Sequence, residues 1–130
     1  MLLSAILTLS SASAFATGDF LCADAEGDGD VSLYAVVSWS FGNAIVGKPK
    51  FRYAAGEETE ITVSQYWNDE RELRLLSVMD DASSPVFRQR EIALKARRTG
   101  DALKGTITVS YAGEGNKIPP RTIPVVCERQ

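Results

Sequence analysis

The stretch from Val31 to Phe41 alternates without a break. Val31, Leu33, Ala35, Val37, Trp39 and Phe41 hold one parity, and Ser32, Tyr34, Val36, Ser38 and Ser40 hold the other. Successive side chains of an extended chain point to opposite faces, so this spacing predicts a long strand with one apolar face.

The same two-residue period recurs down the chain. Gly18 to Asp24 reads as a short strand carrying Cys22, and Ala25-Glu26-Gly27-Asp28-Gly29 supplies the glycines of a turn. Short strands are expected around Ala44-Ile45-Val46 and, after Pro49, at Phe51-Arg52-Tyr53, followed by a turn at Ala54-Ala55-Gly56-Glu57. Thr59 to Trp67 and Glu72 to Met79 flank the polar turn Asn68-Asp69-Glu70-Arg71. Setting Trp67 opposite Glu72 places Val63 against Leu76 and Ile61 against Val78, gathering apolar side chains on one inward face.

A second hairpin is better defined. Gly100-Asp101 suits a tight two-residue connection. Counting outward, Thr99 faces Ala102, Ala96 faces Gly105, Leu94 faces Ile107 and Ile92 faces Val109. Arg97 against Lys104 and Lys95 against Thr106 mark the solvent side. Arg88 to Arg98 could be read as a helix, but this register and the upstream Ser83-Ser84-Pro85 favour strand. A last strand, Thr122 to Glu128, carries Cys127; Pro119-Pro120 before it and Pro124 near its start suit an edge or a strand beginning. These segments total about eight strands, which makes an all-β fold: one antiparallel domain, a small barrel or alternatively a sandwich. Its expected inward set is Val31, Leu33, Val37, Trp39, Ile61, Val63, Leu76, Ile92, Leu94, Ile107 and Val109.

The two cysteines lie near the ends of that domain. Ahead of Cys22 runs an apolar stretch from Leu2 to Leu9, then small residues ending in Ala14-Phe15-Ala16, the pattern of a cleaved secretory signal. No Lys or Arg precedes the stretch, so the terminal amine alone supplies its positive end. The expected division is a leader at 1–16 and a β-domain at 17–130. The apolar stretch is too short and too serine-rich to span a bilayer. Export to the periplasm or the medium places the thiols in an oxidising compartment, where one pair implies one bridge, Cys22 to Cys127.

The chain contains no histidine. That removes the commonest general base, the usual nucleophilic triads and nearly every zinc site. With both cysteines bridged, no thiolate nucleophile remains. Asp80-Asp81 are sequence neighbours, which a strand would point to opposite faces. Asp24 to Asp30 spaces its oxygens like a calcium loop, but the twelfth position is Ala35 where a bidentate Glu is expected, so an acidic turn is the reading. Neither an enzyme nor a cofactor is expected.

Charge is unevenly spread: thirteen acids and five bases from Thr17 to Ser84, four acids and nine bases from Pro85 to Gln130. Acids of the front half can neutralise bases of the back half within one domain, or a basic face can await an anionic partner. Overall acidity and export exclude nucleic acid. Lys95, Arg97 and Lys104 share the outer side of the second hairpin, where facing like charges cost stability. Tyr66-Trp67 beside the polar turn should bury one ring and expose the other, a fair contact anchor. Arg88 and Arg90 share parity with Ile92 and Leu94. Either a bulge near Gln89 turns them out, or they line the open end of a barrel with Tyr111 opposite Arg90. The expected function is an exported, non-catalytic binding module. Its partner would be a protein or an envelope component, met through Lys95, Arg97, Lys104, Tyr66 and Trp67. The alternative is a lipocalin-like carrier with an internal cavity.

Overall fold

In the computed structural model of the protein, the residues described are 18–27, 30–40, 43–47, 49–54, 56–81 and 84–129. The expected leader at 1–16 and the inward positions expected of Trp39 and Phe41 lie outside the described residues and side chains. Strands form wherever the two-residue period holds: β1 (Gly18–Asp24), β2 (Ser32–Ser40), β3 (Asn43–Val46), β4 (Lys50–Arg52), β5 (Thr59–Glu60), β6 (Gln65–Asn68), β7 (Glu72–Asp80), β8 (Arg88–Thr99), β9 (Ala102–Gly113) and β10 (Arg121–Arg129). They form one antiparallel sheet in the order β5-β4-β2-β1-β10-β9-β8-β7-β6, with β3 pairing to β2 off that path. Among the described residues there is no helix long and apolar enough to cross a membrane.

β5 and β6 stand at opposite ends of this order, yet only Ile61 to Ser64 connects them. Five Cα steps reach at most ~18 Å. Across a flat sheet of nine strands the edges would stand roughly 38 Å apart. The sheet therefore curls until its edges approach, and its concave face becomes the core. Phe20 of β1 stacks on Tyr66 of β6 across that face, with ring centroids 6.3 Å apart. The ladder itself does not close, because β5 pairs with β4 and β6 with β7. This also explains why the expected strand Thr59 to Trp67 is divided. Ile61 donates its N–H to the Pro49 carbonyl, whereas Ser64 donates to Leu76, so the chain changes partners between them.

The concave face is filled by Phe20, Leu33, Phe51, Leu73, Leu75, Ile92, Leu94 and Ile107, each fully buried, together with smaller residues from the same strands. Val31, Val37, Ile61 and Val109 are buried as expected, and Val63 is half-buried against the same cluster. The β8–β9 hairpin has the anticipated register, from Thr99 opposite Ala102 through Leu94 opposite Ile107 to Arg90 opposite Tyr111. Gly100 in its turn has φ 64°, a left-handed conformation that costs glycine little.

One expectation needs correction, and two open alternatives are decided. Leu76 does not face the core. The turn after β6 centres one position later than expected, so Trp67 pairs with Arg74 and Gln65 with Leu76, and this grouping is the convex one. Leu73, Leu75 and Ser77 take the inward side because they sit opposite the inward residues Ala96, Leu94 and Ile92 of β8. No bulge interrupts β8: its register with β9 continues unbroken to Arg88 opposite Gly113, so Arg88 and Arg90 stay on the concave side. Finally, β10 is an interior strand between β1 and β9, and Pro124 does not mark an edge. The Pro124 carbonyl accepts from Ala25, just past the end of β1. The side that lacks an N–H is therefore the side where the β1 ladder has already given way to a turn.

The Cys22–Cys127 disulfide joins directly opposed residues of β1 and β10, and a disulfide of this kind is compatible with an oxidising extracellular or periplasmic location.

Candidate functional site

On the convex side, β6, β7, β8 and β9 present their outward residues in rows. One row is Trp67, Arg74, Lys95 and Thr106; the next is Gln65, Leu76, Ala93 and Thr108. Between them lies a surface groove of about 660 Å³ lined by Gln65, Trp67, Arg74, Leu76, Ala93 and Lys95, among others. Trp67 is 58% exposed on its border. A row further along carries Glu72, Arg97 and Lys104 around a smaller hollow of about 330 Å³.

The Trp67 ring is positioned by the β6–β7 turn. Its Nε1–H donates to Asp69 Oδ2 at 3.0 Å, while Asp69 Oδ1 accepts the backbone N–H groups of Arg71 and Glu72, each at 2.7 Å. These donors hold the Asp69 carboxyl below its ordinary pKa, the backbone pair more strongly than the indole. One carboxylate thus fixes both the turn and the ring beside it.

Glu72 organises the neighbouring charges. It accepts from Arg97 Nε at 2.9 Å and approaches Arg74 Nη2 at 2.6 Å; hydrogen bonding to Arg97 draws its pKa down, burial opposes this next in size, and the charges of Arg74 and Arg97 lower it further. Of the two readings of the basic face, neutralisation by an acid of the front half holds at Arg97, where Glu72 of the preceding strand pairs with it. Lys95 and Lys104 carry no salt bridge among the described residues.

The residues singled out in sequence separate into two sets. Trp67, Lys95, Arg97 and Lys104 come together on one convex face. Tyr66 does not join them, because its side chain points to the concave side, stacks on Phe20 and accepts a hydrogen bond from Asn68 Nδ2 at 2.9 Å. Burial of that phenol raises its pKa. Arg74 and Leu76 belong to the groove but are not expected there from the sequence, because the Trp67–Glu72 register turns Leu76, and with it the parity of Arg74, inward. Their alternation with Leu73 and Leu75 was visible; which parity faced out was not. In the acidic turn after β1, Asp24 Oδ1 accepts from the Glu26 N–H at 2.8 Å. Among the described residues no three His, Cys, Asp or Glu side chains gather as metal ligands.

Comparison with protein families, characterised proteins and solved structures finds no match for this chain.

Proposed function

We propose that the protein is an exported, non-catalytic binding module that engages a protein or envelope component through the convex face of β6 to β9. The observation that carries this reading is the exposed Trp67, held in place by Asp69 at the border of the groove that Lys95 and Arg74 line. A large ring already fixed before binding loses little conformational freedom in contact, and such rings dominate interface energetics. Lys95 and Lys104 add positive charge that Glu72 does not cancel, which favours a partner with an acidic patch. The concave face filled by Phe20, Phe51, Leu73 and Leu94 supports contact at the surface over carriage within. The lack of histidine and the pairing of both cysteines support binding over catalysis.

The test is retention from a native envelope extract by immobilised protein, compared across variants. A partner held by the wild type should be lost from Trp67→Ala, and its association with a Lys95→Glu/Lys104→Glu variant should slow. Its affinity should fall as salt rises, because exposed charges are screened over about 10 Å at 0.1 M. Equal retention by the wild type and both variants would remove this face as the site.

A further inference from the structure

The concave face ends in arginines. Alternation from Leu94 and Ile92 carries Arg90 and Arg88 onto it, and alternation from Val125 and Ile123 carries Arg121 onto it at the neighbouring end of β10. Arg88 is satisfied: its Nε donates to Asp81 Oδ2 at 2.8 Å, and its guanidinium lies 5.0 Å from the Tyr111 ring centre. Arg90 and Arg121 are held differently. The Arg90 guanidinium lies 5.9 Å from the Phe51 ring centre, and that of Arg121 lies 5.5 Å from the Tyr53 ring centre. Phe51 and Tyr53 themselves stack, with centroids 6.1 Å apart and planes 17° from parallel. Two cations therefore rest on one stacked aromatic pair.

Among the described residues neither Arg90 nor Arg121 forms a salt bridge. An aromatic face attracts a guanidinium through its quadrupole but accepts none of its five N–H donors in the plane. Arg90 is half-buried on the apolar side of the sheet, where a cation without a counter-charge is costly. The planar fork of donors matches the oxygens of a carboxylate or phosphate. Glu60 lies opposite Lys50 on the exposed side of β5, away from Phe51, and Glu57 and Glu58 are exposed on the turn after Tyr53. Solvent screens such charges more than it screens the half-buried Arg90.

We propose that Arg90 and Arg121, seated on the Phe51–Tyr53 stack, form a binding site for an oxyanion, a carboxylate or phosphate group, at the open end of the curled sheet. The site is separate from the convex face and stands or falls independently of it. Asp81 holds Arg88 beside the opening, leaving the other two guanidiniums to donate to the anion.

The experiment is an NMR titration of the ¹⁵N-labelled protein with sodium phosphate and, separately, sodium acetate, at ionic strength held constant with sodium chloride. Saturable shifts are expected for the amides of 88–92, 109–113 and 121–123 and for the Arg90 and Arg121 Nε–H groups. Saturation in the phosphate arm identifies a phosphate site, and saturation in the acetate arm a carboxylate site. Arg90→Met and Arg121→Met should each weaken binding at least tenfold, whereas Lys95→Met on the convex face should leave it unchanged. Arg121 is exposed, so its variant keeps the comparison available if Arg90→Met fails to fold. Shifts that rise linearly without saturating in both arms, or that survive unchanged in Arg121→Met, would overturn the proposal.

Discussion

Gly105 is the fourth residue of β9, opposite Ala96 on one side and Val125 on the other. A Cβ placed there would lie 1.8 Å from the Lys95 carbonyl oxygen and 2.6 Å from the Ala96 Cα. Neither is the far end of a flexible side chain, so the backbone itself would have to move. The absence of a side chain lets the two long strands approach and coil at this rung. Gly105→Ala should therefore destabilise the protein by about 3 kcal/mol or more, read as a lowered urea midpoint. An unchanged midpoint would show that the strands part easily there. Ser77 predicts the opposite sign. Its hydroxyl is buried on the concave face and has no hydrogen-bond partner among the described residues. Ser77→Ala removes an unsatisfied group with little loss of volume and should raise stability by ~1 kcal/mol. A clear loss in the same urea measurement would mean that the hydroxyl has a partner in solution.

At the scale of elements, the two hairpins differ in how they are specified. The β8–β9 hairpin is set by a two-residue turn and by one parity that is apolar on both strands, so its register was legible residue by residue. The β6–β7 hairpin carries apolar residues on both parities, Leu73 and Leu75 on one and Leu76 and Val78 on the other, and its own sequence does not choose between them. Its turn is held instead by Asp69, with Glu72 tying it to β8 through Arg97. Both carboxyls are held below their ordinary values of 3.8 and 4.5. Because the folded-state values are the lower ones, the unfolded chain takes up these protons first as pH falls. The stabilisation is whole above the ordinary values and is lost as pH drops through the folded ones. Asp69→Asn should flatten the fall in the urea midpoint between about pH 6 and about pH 3. Trp67 emission should report loosening of the turn over the acidic part of that range. An acid-side slope identical to the wild type would place the titrating groups elsewhere.

For the whole molecule, the curl of the sheet and the disulfide act together. Cys22 and Cys127 face each other on adjacent strands with Cα atoms 4.0 Å apart, and their bond closes a loop spanning 105 positions. The chain-entropy model gives such a loop about 4–5 kcal/mol as an upper figure. β1 also pairs with β2, and β10 with β9, so each strand keeps a second ladder when the bond is cut. A Cys22→Ala/Cys127→Ala variant should therefore retain the far-UV circular dichroism of a β-protein while losing up to about 4 kcal/mol of stability. Loss of the strand signal itself would mean that the bridge is needed to form the sheet.

What the sequence determined by itself was local. Alternation in Val31 to Val37 and in Ile92 to Ala96, the turn at Gly100-Asp101, and two cysteines with one possible pairing were enough for the strands, the best hairpin and the bridge. The convex basic residues Lys95, Arg97 and Lys104 followed from that hairpin, because parity alone sorts a strand whose apolar residues all share one face. Tertiary structure decided everything that depended on a partner strand. It chose the inward parity of β7, since only Leu73, Leu75 and Ser77 fall opposite the buried residues of β8. It sent Tyr66 inward and Trp67 outward, and it supplied Glu72 to Arg97. It also kept Arg88 and Arg90 on the concave side and brought Phe51 and Tyr53 beneath Arg90 and Arg121. The physical reason is that a strand's own period fixes which residues share a face, whereas which face is buried depends on what the sheet curls around.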